Sequence, residues 1–121
     1  MFSQQLTGIY PERGVNLNKE CERQIQEEAI NKWPEEMVGY VKGGSFYALK
    51  NISKDPKNRY QLSTKDTLFV LNNDVDFLVH SHPTLNNKPS DLDLRSQKAN
   101  KIPYLIIGTD GKSLTEIKEV S

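Results

Sequence analysis

The stretch from Asp76 to Asp93 constrains this chain more than any other. Asp76-Phe77-Leu78-Val79 is an apolar run with polar bounds, as expected of a buried strand. It leads directly into His80-Ser81-His82, which holds the only two histidines of the sequence. If the strand continues through His82, period-two alternation places both imidazoles on one face and Ser81 on the other. Pro83 cannot donate to a β-ladder, so the strand is expected to stop there. After a loop closed by Pro89, Ser90 is a good helix N-cap. Asp91 and Asp93 then fall in the first turn of a helix running to about Ala99. A loop of this length can fold a first-turn carboxylate back toward the histidines. Two imidazoles and one carboxylate around a metal leave a fourth position open, which is how catalytic zinc is held. On the residues alone, Asp91 and Asp93 both remain open as the third ligand.

A second candidate lies upstream. Glu35 and Glu36 sit between a helix ended by Pro34 and the strand around Val38-Gly39-Tyr40-Val41. In an extended entry to a strand, adjacent side chains point to opposite faces, so only one of the pair can reach a given site. Taken singly these motifs say little, because His-x-His is often a surface pair and Ser-x-x-Asp is a common capping box. Their conjunction is specific. Pro34-x-Glu36-x-x-Gly39, then His80-x-His82, seven residues, and Ser90-x-x-Asp93 resembles the JAMM (MPN-plus, JAB) zinc metalloprotease family. Val38 stands where that family often has cysteine, an apolar exchange. The resemblance spans about residues 17–118. It implies an α/β fold: a single three-layer domain with a mixed, mainly antiparallel β-sheet flanked by helices, like that of the cytidine deaminases. It also implies one Zn2+ held by His80, His82 and Asp93, Glu36 as general base, and Ser90 as a hydroxyl donor to the oxyanion. Asn51-x-x-x-Asp55-Pro56, an aromatic at Tyr60, then Ser63 and a short helix narrow the likeness. They are most similar to the JAMM domain at the front of tail-assembly proteins of phage lambda and its relatives, the protein K type.

The rest of the chain agrees with one small domain. At 121 residues it suits a single core, read as a leading segment over 1–15 and the domain over 16–121. Asn16 or Asn18 can cap a helix to about Trp33, with Leu17, Cys21, Ile25, Ala29 and Trp33 as one apolar stripe. Cys21 and Trp33 are read as packing residues. Strands are expected at the end of 35–41 and over 45–49 with a turn at Gly43-Gly44. Further short strands are expected over 60–62, 102–108 and 113–117, with a helix carrying Leu68, Phe69 and Leu71 after a cap at Ser63 or Thr64.

Composition narrows the function class. Lys+Arg and Asp+Glu both number 16, and no basic cluster interleaved with aromatics asks for nucleic acid. The Pro-Cys-x-x-Cys ligand pair of a zinc deaminase is missing. No apolar run is long enough to cross a bilayer, and the first residues lack the pattern of a signal peptide. Cys21 is the single cysteine, so no internal disulfide can form, which fits a reducing cytoplasm or a virion assembled there. The resemblance implies zinc-dependent cleavage of a peptide or isopeptide bond. A phage tail-associated peptidase is the leading expectation, acting on a cell-wall peptide or on other tail proteins. The alternatives are a bacterial deconjugase of a ubiquitin-like modifier and a non-catalytic tail-assembly module. Tail-assembly relatives commonly carry a papain-like peptidase domain after this one. With the sequence ending at Ser121, a lone JAMM domain is expected, and Cys21 is no substitute for that second domain's nucleophile.

Overall fold

A computed structural model describes residues 17–121; the expected leading segment over 1–15 and the candidate cap Asn16 lie outside the described residues. Helix α1 (Lys19–Lys32) is capped by Asn18, whose Oδ1 accepts from Cys21 N at 2.7 Å. Its stripe works as the spacing predicts: Cys21, Ile25 and Ala29 are fully buried. The opposite face is solvated, with Arg23 paired to both Glu20 and Glu27. Exposed pairs of this kind contribute little to stability.

Strands β1 (Val38–Lys42) and β2 (Ser45–Leu49) form the expected hairpin. Gly43 and Gly44 both have positive φ, +62° and +82°, which a two-residue turn between twisted strands requires. Helix α2 (Thr64–Asn72) follows, capped by Ser63, and then β3 (Phe77–His82), α3 (Asp91–Asn100), β4 (Tyr104–Gly108) and β5 (Lys118–Val120). The five-stranded sheet runs in the order β2-β1-β3-β4-β5. Among the described strands only β3 and β4 pair in parallel. A parallel pair needs a crossover, and α3 supplies it.

Each face of the sheet is covered. Cys21, Ile25 and Ala29 of α1 pack on Met37, Val41, Val79, Leu105 and Ile107. On the other side Val70 of α2 packs with Val38, Val75, Leu78 and Tyr104. All five residues of β4 are buried, as expected of a strand covered on both faces. The fold is therefore the expected three-layer α/β domain with a mixed, mainly antiparallel sheet.

Three local expectations are corrected. Trp33 is 42% exposed and is not a core residue. The helix has already ended at Lys32, and the extended backbone of Trp33 as C-cap turns its ring off the stripe. The ring instead lies over Gly111, and Nε1–H donates to Pro83 O at 3.3 Å. On α2, Leu68, Phe69 and Leu71 face outward and Val70 is buried; Phe69 finds Tyr40, ring centroids 5.5 Å apart. Residues 60–62 form no strand, because Gln61 is tied locally, its N–H to Asn51 Oδ1 and its C=O to Ile52 N. Residues 113–117 are likewise not a strand and make only the bridge Thr109↔Leu114. There Asp110 Oδ1 takes the N–H groups of Lys112 and Ser113, and Thr115 Oγ1 takes that of Gly108. The chain re-enters the sheet at Lys118.

Ile25 sits at the centre of the α1 layer, so Ile25→Ala is expected to cost about 2–5 kcal/mol, read as a lowered denaturation midpoint in urea. Cys21 in the same layer should label slowly in the native protein and quickly in denaturant; fast native labelling would contradict its burial.

Candidate metal centre

Strand β3 places the two histidines as alternation requires. His80 and Leu78 share the α2–α3 face, while Val79 and Ser81 turn toward α1. Ser81 is spent on structure: its Oγ accepts from Met37 N at 2.7 Å and its N–H donates to Met37 O at 2.9 Å. That pairing aligns β1 with β3 and sets Val38 opposite His80. Glu36 lies two residues before Val38, on the histidine face, and is 8% exposed. Glu35 has the opposite parity and is exposed.

Helix α3 brings the carboxylate. Ser90 Oγ accepts from Asp93 N at 3.0 Å, and Asp93 Oδ2 accepts from Ser90 N at 2.9 Å, a complete capping box. This fixes the Asp93 rotamer as it caps the helix. Asp93 is buried and Asp91 exposed. Asp93 Oδ1 lies 3.2 Å from His80 Nε2, and Oδ2 lies 3.2 Å from His82 Nε2. Ligand atoms of His80, His82 and Asp93 all fall within 4.8 Å of one another.

The set fits a metal ion. His82 Nδ1–H donates to Asn86 O at 3.0 Å, which leaves Nε2 as the lone-pair nitrogen facing Asp93. His80 is fully buried, and among the described residues neither ring nitrogen has a hydrogen-bond partner; its Nε2 is close to Asp93 without hydrogen-bond alignment. A carboxylate held this close to two imidazole nitrogens is a place for a shared proton or a cation. Nitrogen and oxygen donors in this number suit zinc.

The electrostatics follow from burial and from these contacts. Desolvation pushes the His80 imidazolium below its ordinary range, and the nearby Asp93 only partly offsets it. His82 is also desolvated, but Asp93 and Asn86 O outweigh that and raise it. For Asp93, burial acts upward, yet contacts with His80 and His82 and the Ser90 N–H hold the carboxyl well below the usual range. Glu36 goes the other way. Burial, with the Asp93 charge adding, raises it to about 7, against His82 and Arg59.

Comparisons with known proteins bear on what this site belongs to. Residues 18–120 match the family described as prokaryotic homologs of the JAB domain. The chain belongs to the JAB family. A curated relative, the tail tip assembly protein K of Escherichia phage N15, is 30% identical over 88 residues, covering 69% of this chain. The chain spans 36% of that relative's length. A JAB1/MPN domain protein from Archaeoglobus fulgidus superposes with a TM-score of 0.53 at 21% identity, over 84% of this chain and 90% of that one. A protein from Desulfitobacterium hafniense gives 0.61 at 19% identity, over 87% and 88%. These two likenesses concern the fold. The family contains metallopeptidases, and this JAB domain carries the His–His–Asp group of the expected motif.

The JAB domain also uses residues that sequence reasoning missed. Asn86 O orients His82. Gly108 makes room for the loop that carries it: a Cβ there would lie 2.5 Å from Thr84 O and 2.6 Å from Asn86 N. Asn51 donates to Glu36 O at 3.0 Å, and Glu36 N donates to Pro56 O at 2.7 Å. A glycine ending a strand of large apolar residues was a readable signal for Gly108. Nothing in the sequence singles out a backbone carbonyl such as that of Asn86.

Asp93→Ala is expected to abolish binding of one zinc ion and Asp91→Ala to leave it intact, measured by metal analysis of dialysed protein. Zinc affinity should fall as pH drops, because protons compete for the lone pairs. His82, with its raised pKa, starts that competition above the ordinary histidine range and His80 joins at lower pH. Asp93 has a depressed folded-state pKa, so its contribution to metal-free stability is present above the unfolded carboxylate value and is lost as pH falls through the folded one. A zinc affinity that stays flat from neutral to acid pH would count against the assignment.

Proposed function

We propose that this domain is a JAMM-type zinc metallopeptidase that hydrolyses a peptide or isopeptide bond. The observation that carries the reading is the convergence of His80, His82 and Asp93 beside a buried Glu36. When bound by those three residues, zinc supplies Lewis-acid polarisation and a water acidified toward neutrality. Glu36 is the group to handle protons. Its carboxylate would take one from the attacking water and return it to the leaving amine. Ser90 Oγ accepts from Asp93 N, so its own O–H proton remains to donate to a developing oxyanion. Ser90 thus combines the cap and the catalytic role without conflict.

The substrate we favour is a peptide in a phage tail context, either a cell-wall cross-link or a neighbouring tail protein. The support is the likeness to a tail tip assembly protein. The loop between His82 and Ser90 is only seven residues long, with no inserted segment there to grip a ubiquitin-like protein. That same likeness favours one second reading, a tail-assembly module that uses zinc for stability alone, placed in the virion rather than free in the cytoplasm. No helix among the described residues is long and apolar enough to cross a membrane.

Glu36→Gln separates these readings. Zinc should stay bound while turnover of a cleaved peptide falls by roughly two to four decades, the usual worth of a general base. Glu35→Gln should leave both nearly unchanged. Full activity in Glu36→Gln would sink the mechanism, and zinc binding by a wild type that cleaves nothing would favour the assembly module. A linked effect is expected without metal. The folded-state pKa of Glu36 lies above its unfolded value, so its stabilising protonation is complete below the usual Glu range and is lost as pH rises through about 7. Metal-free Glu36→Gln should therefore melt higher than wild type above neutral pH and show little difference at pH 4.

A further inference from the structure

Metal-ligating histidines usually donate their second ring N–H to a carbonyl or carboxylate that fixes the ring. His82 does this through Asn86 O. His80 does not: its Nδ1 is buried, and among the described residues no protein group pairs with it. Two aromatic rings flank this imidazole. The Tyr60 ring lies 5.0 Å from the His80 ring, centroid to centroid, tilted by 36°. Tyr104 meets the same imidazole edge-on at 6.0 Å and 90°. Edge and tilted contacts at these separations are attractive between aromatic rings beyond the area they bury. Tyr104 is fully buried in β4, and its hydroxyl accepts from Asn100 Nδ2 at 3.0 Å, so it is a fixed wall.

Tyr60 stands on a loop and packs against the cluster of Val38, Val70, Leu78 and Tyr104, and one side chain braces the backbone on both sides of it. Asn51 Nδ2 donates to Arg59 O at 3.2 Å and Asn51 Oδ1 accepts from Gln61 N at 3.1 Å. Those are the residues on either side of Tyr60. The same amide donates to Glu36 O. One asparagine therefore ties the loop bearing Tyr60 to the backbone of Glu36.

We propose that Tyr60 is a positioning residue for His80: its ring, clamped by Asn51 and opposed by Tyr104, replaces the missing hydrogen bond at Nδ1 and aims Nε2 at Asp93. The role belongs to the aromatic ring and not to the hydroxyl. This rests on the metal-site reading above for its consequence, but not for its geometry, which exists without metal.

The test uses Tyr60→Leu, Tyr60→Phe and Asn51→Ala in the 121-residue chain, with two readouts. The first is the His80 ring-nitrogen spectrum of metal-free protein at neutral pH. Wild type and Tyr60→Phe should show one sharp tautomer, and Tyr60→Leu and Asn51→Ala a broadened, averaging ring. The second is zinc affinity by chelator competition. Tyr60→Leu should lose roughly 10–100-fold, the usual cost of losing an outer partner of a ligand, and Tyr60→Phe should stay within about twofold on the same scale. A sharp His80 ring and unchanged zinc affinity in Tyr60→Leu would overturn the proposal, as would an equal loss in Tyr60→Phe, which assigns the role to the hydroxyl. Should Tyr60→Leu fail to fold, Asn51→Ala decides in the same two ways. A wild type that binds no zinc but shows the ring effect would leave the positioning role standing and remove the metallopeptidase reading.

Discussion

Two imidazoles and a carboxylate, taken out of water and pressed together, set the terms for the rest of this domain. None of the three lies where a lone polar side chain is comfortable, and each is delivered by a different structural device. His80 arrives on a strand between two others, where position is set by β1 on one side and β4 on the other. His82 is the last residue of that strand and takes its orientation from the loop beyond it. Asp93 comes from the first turn of the crossover helix that the parallel β3–β4 pair demands. The capping box at Ser90 then serves two purposes, since the hydrogen bond that starts the helix also fixes the carboxylate. The helix N-terminus favours negative charge there, in line with the lowered pKa of Asp93.

The same small space divides two carboxyl groups by environment. Contacts with His80, His82 and the Ser90 N–H hold the Asp93 carboxyl low, while burial raises that of Glu36 to about 7 in the metal-free protein. Environments that push two carboxyls apart are how one site obtains both a permanent anion and a proton carrier. Strand parity makes the division possible. Ser81 on the reverse face locks Met37, and the residue before Met37 is thereby delivered to the histidine face. A one-residue slip of β1 would present Glu35 instead and turn Val38 away from the core.

The sequence carried this much of the site because its determinants are local. His-x-His on an apolar run, proline at the strand end and Ser-x-x-Asp at a helix start each express backbone rules that operate over a few residues. Asp93 over Asp91 was not readable from those rules, since both fall in the first helical turn; only the family register, and then burial, separates them. The failures also share a cause. Trp33 continued the spacing of the α1 stripe, but the stripe has meaning only while the backbone is helical, and the helix stops one residue earlier. Residues 60–62 and 113–117 have strand-like composition. Asn51, Asp110 and Thr115 claim the backbone donors there, and composition does not reveal such competition. Asn86 and Gly108 act through space on residues at least four positions away, so no local pattern marks them.

The balance of these terms suggests why the polar cluster persists. In metal-free protein His80 has two buried nitrogens without a hydrogen-bond partner among the described residues, Glu36 is desolvated, and burial works against the charge on Asp93. Each is unfavourable or conditional alone, and apolar replacements would pack without such penalties. A cation shared by the three donors would offset all of these costs at once, because it would occupy the lone pairs, satisfy the carboxylate and lower the pKa of the neighbouring glutamate. Binding of that kind adds its free energy to folding. The groups that weaken the metal-free fold would then be the ones that couple its stability to a bound ion, while the Asn86 carbonyl and the Ser90 cap hold His82 and Asp93 in place without it.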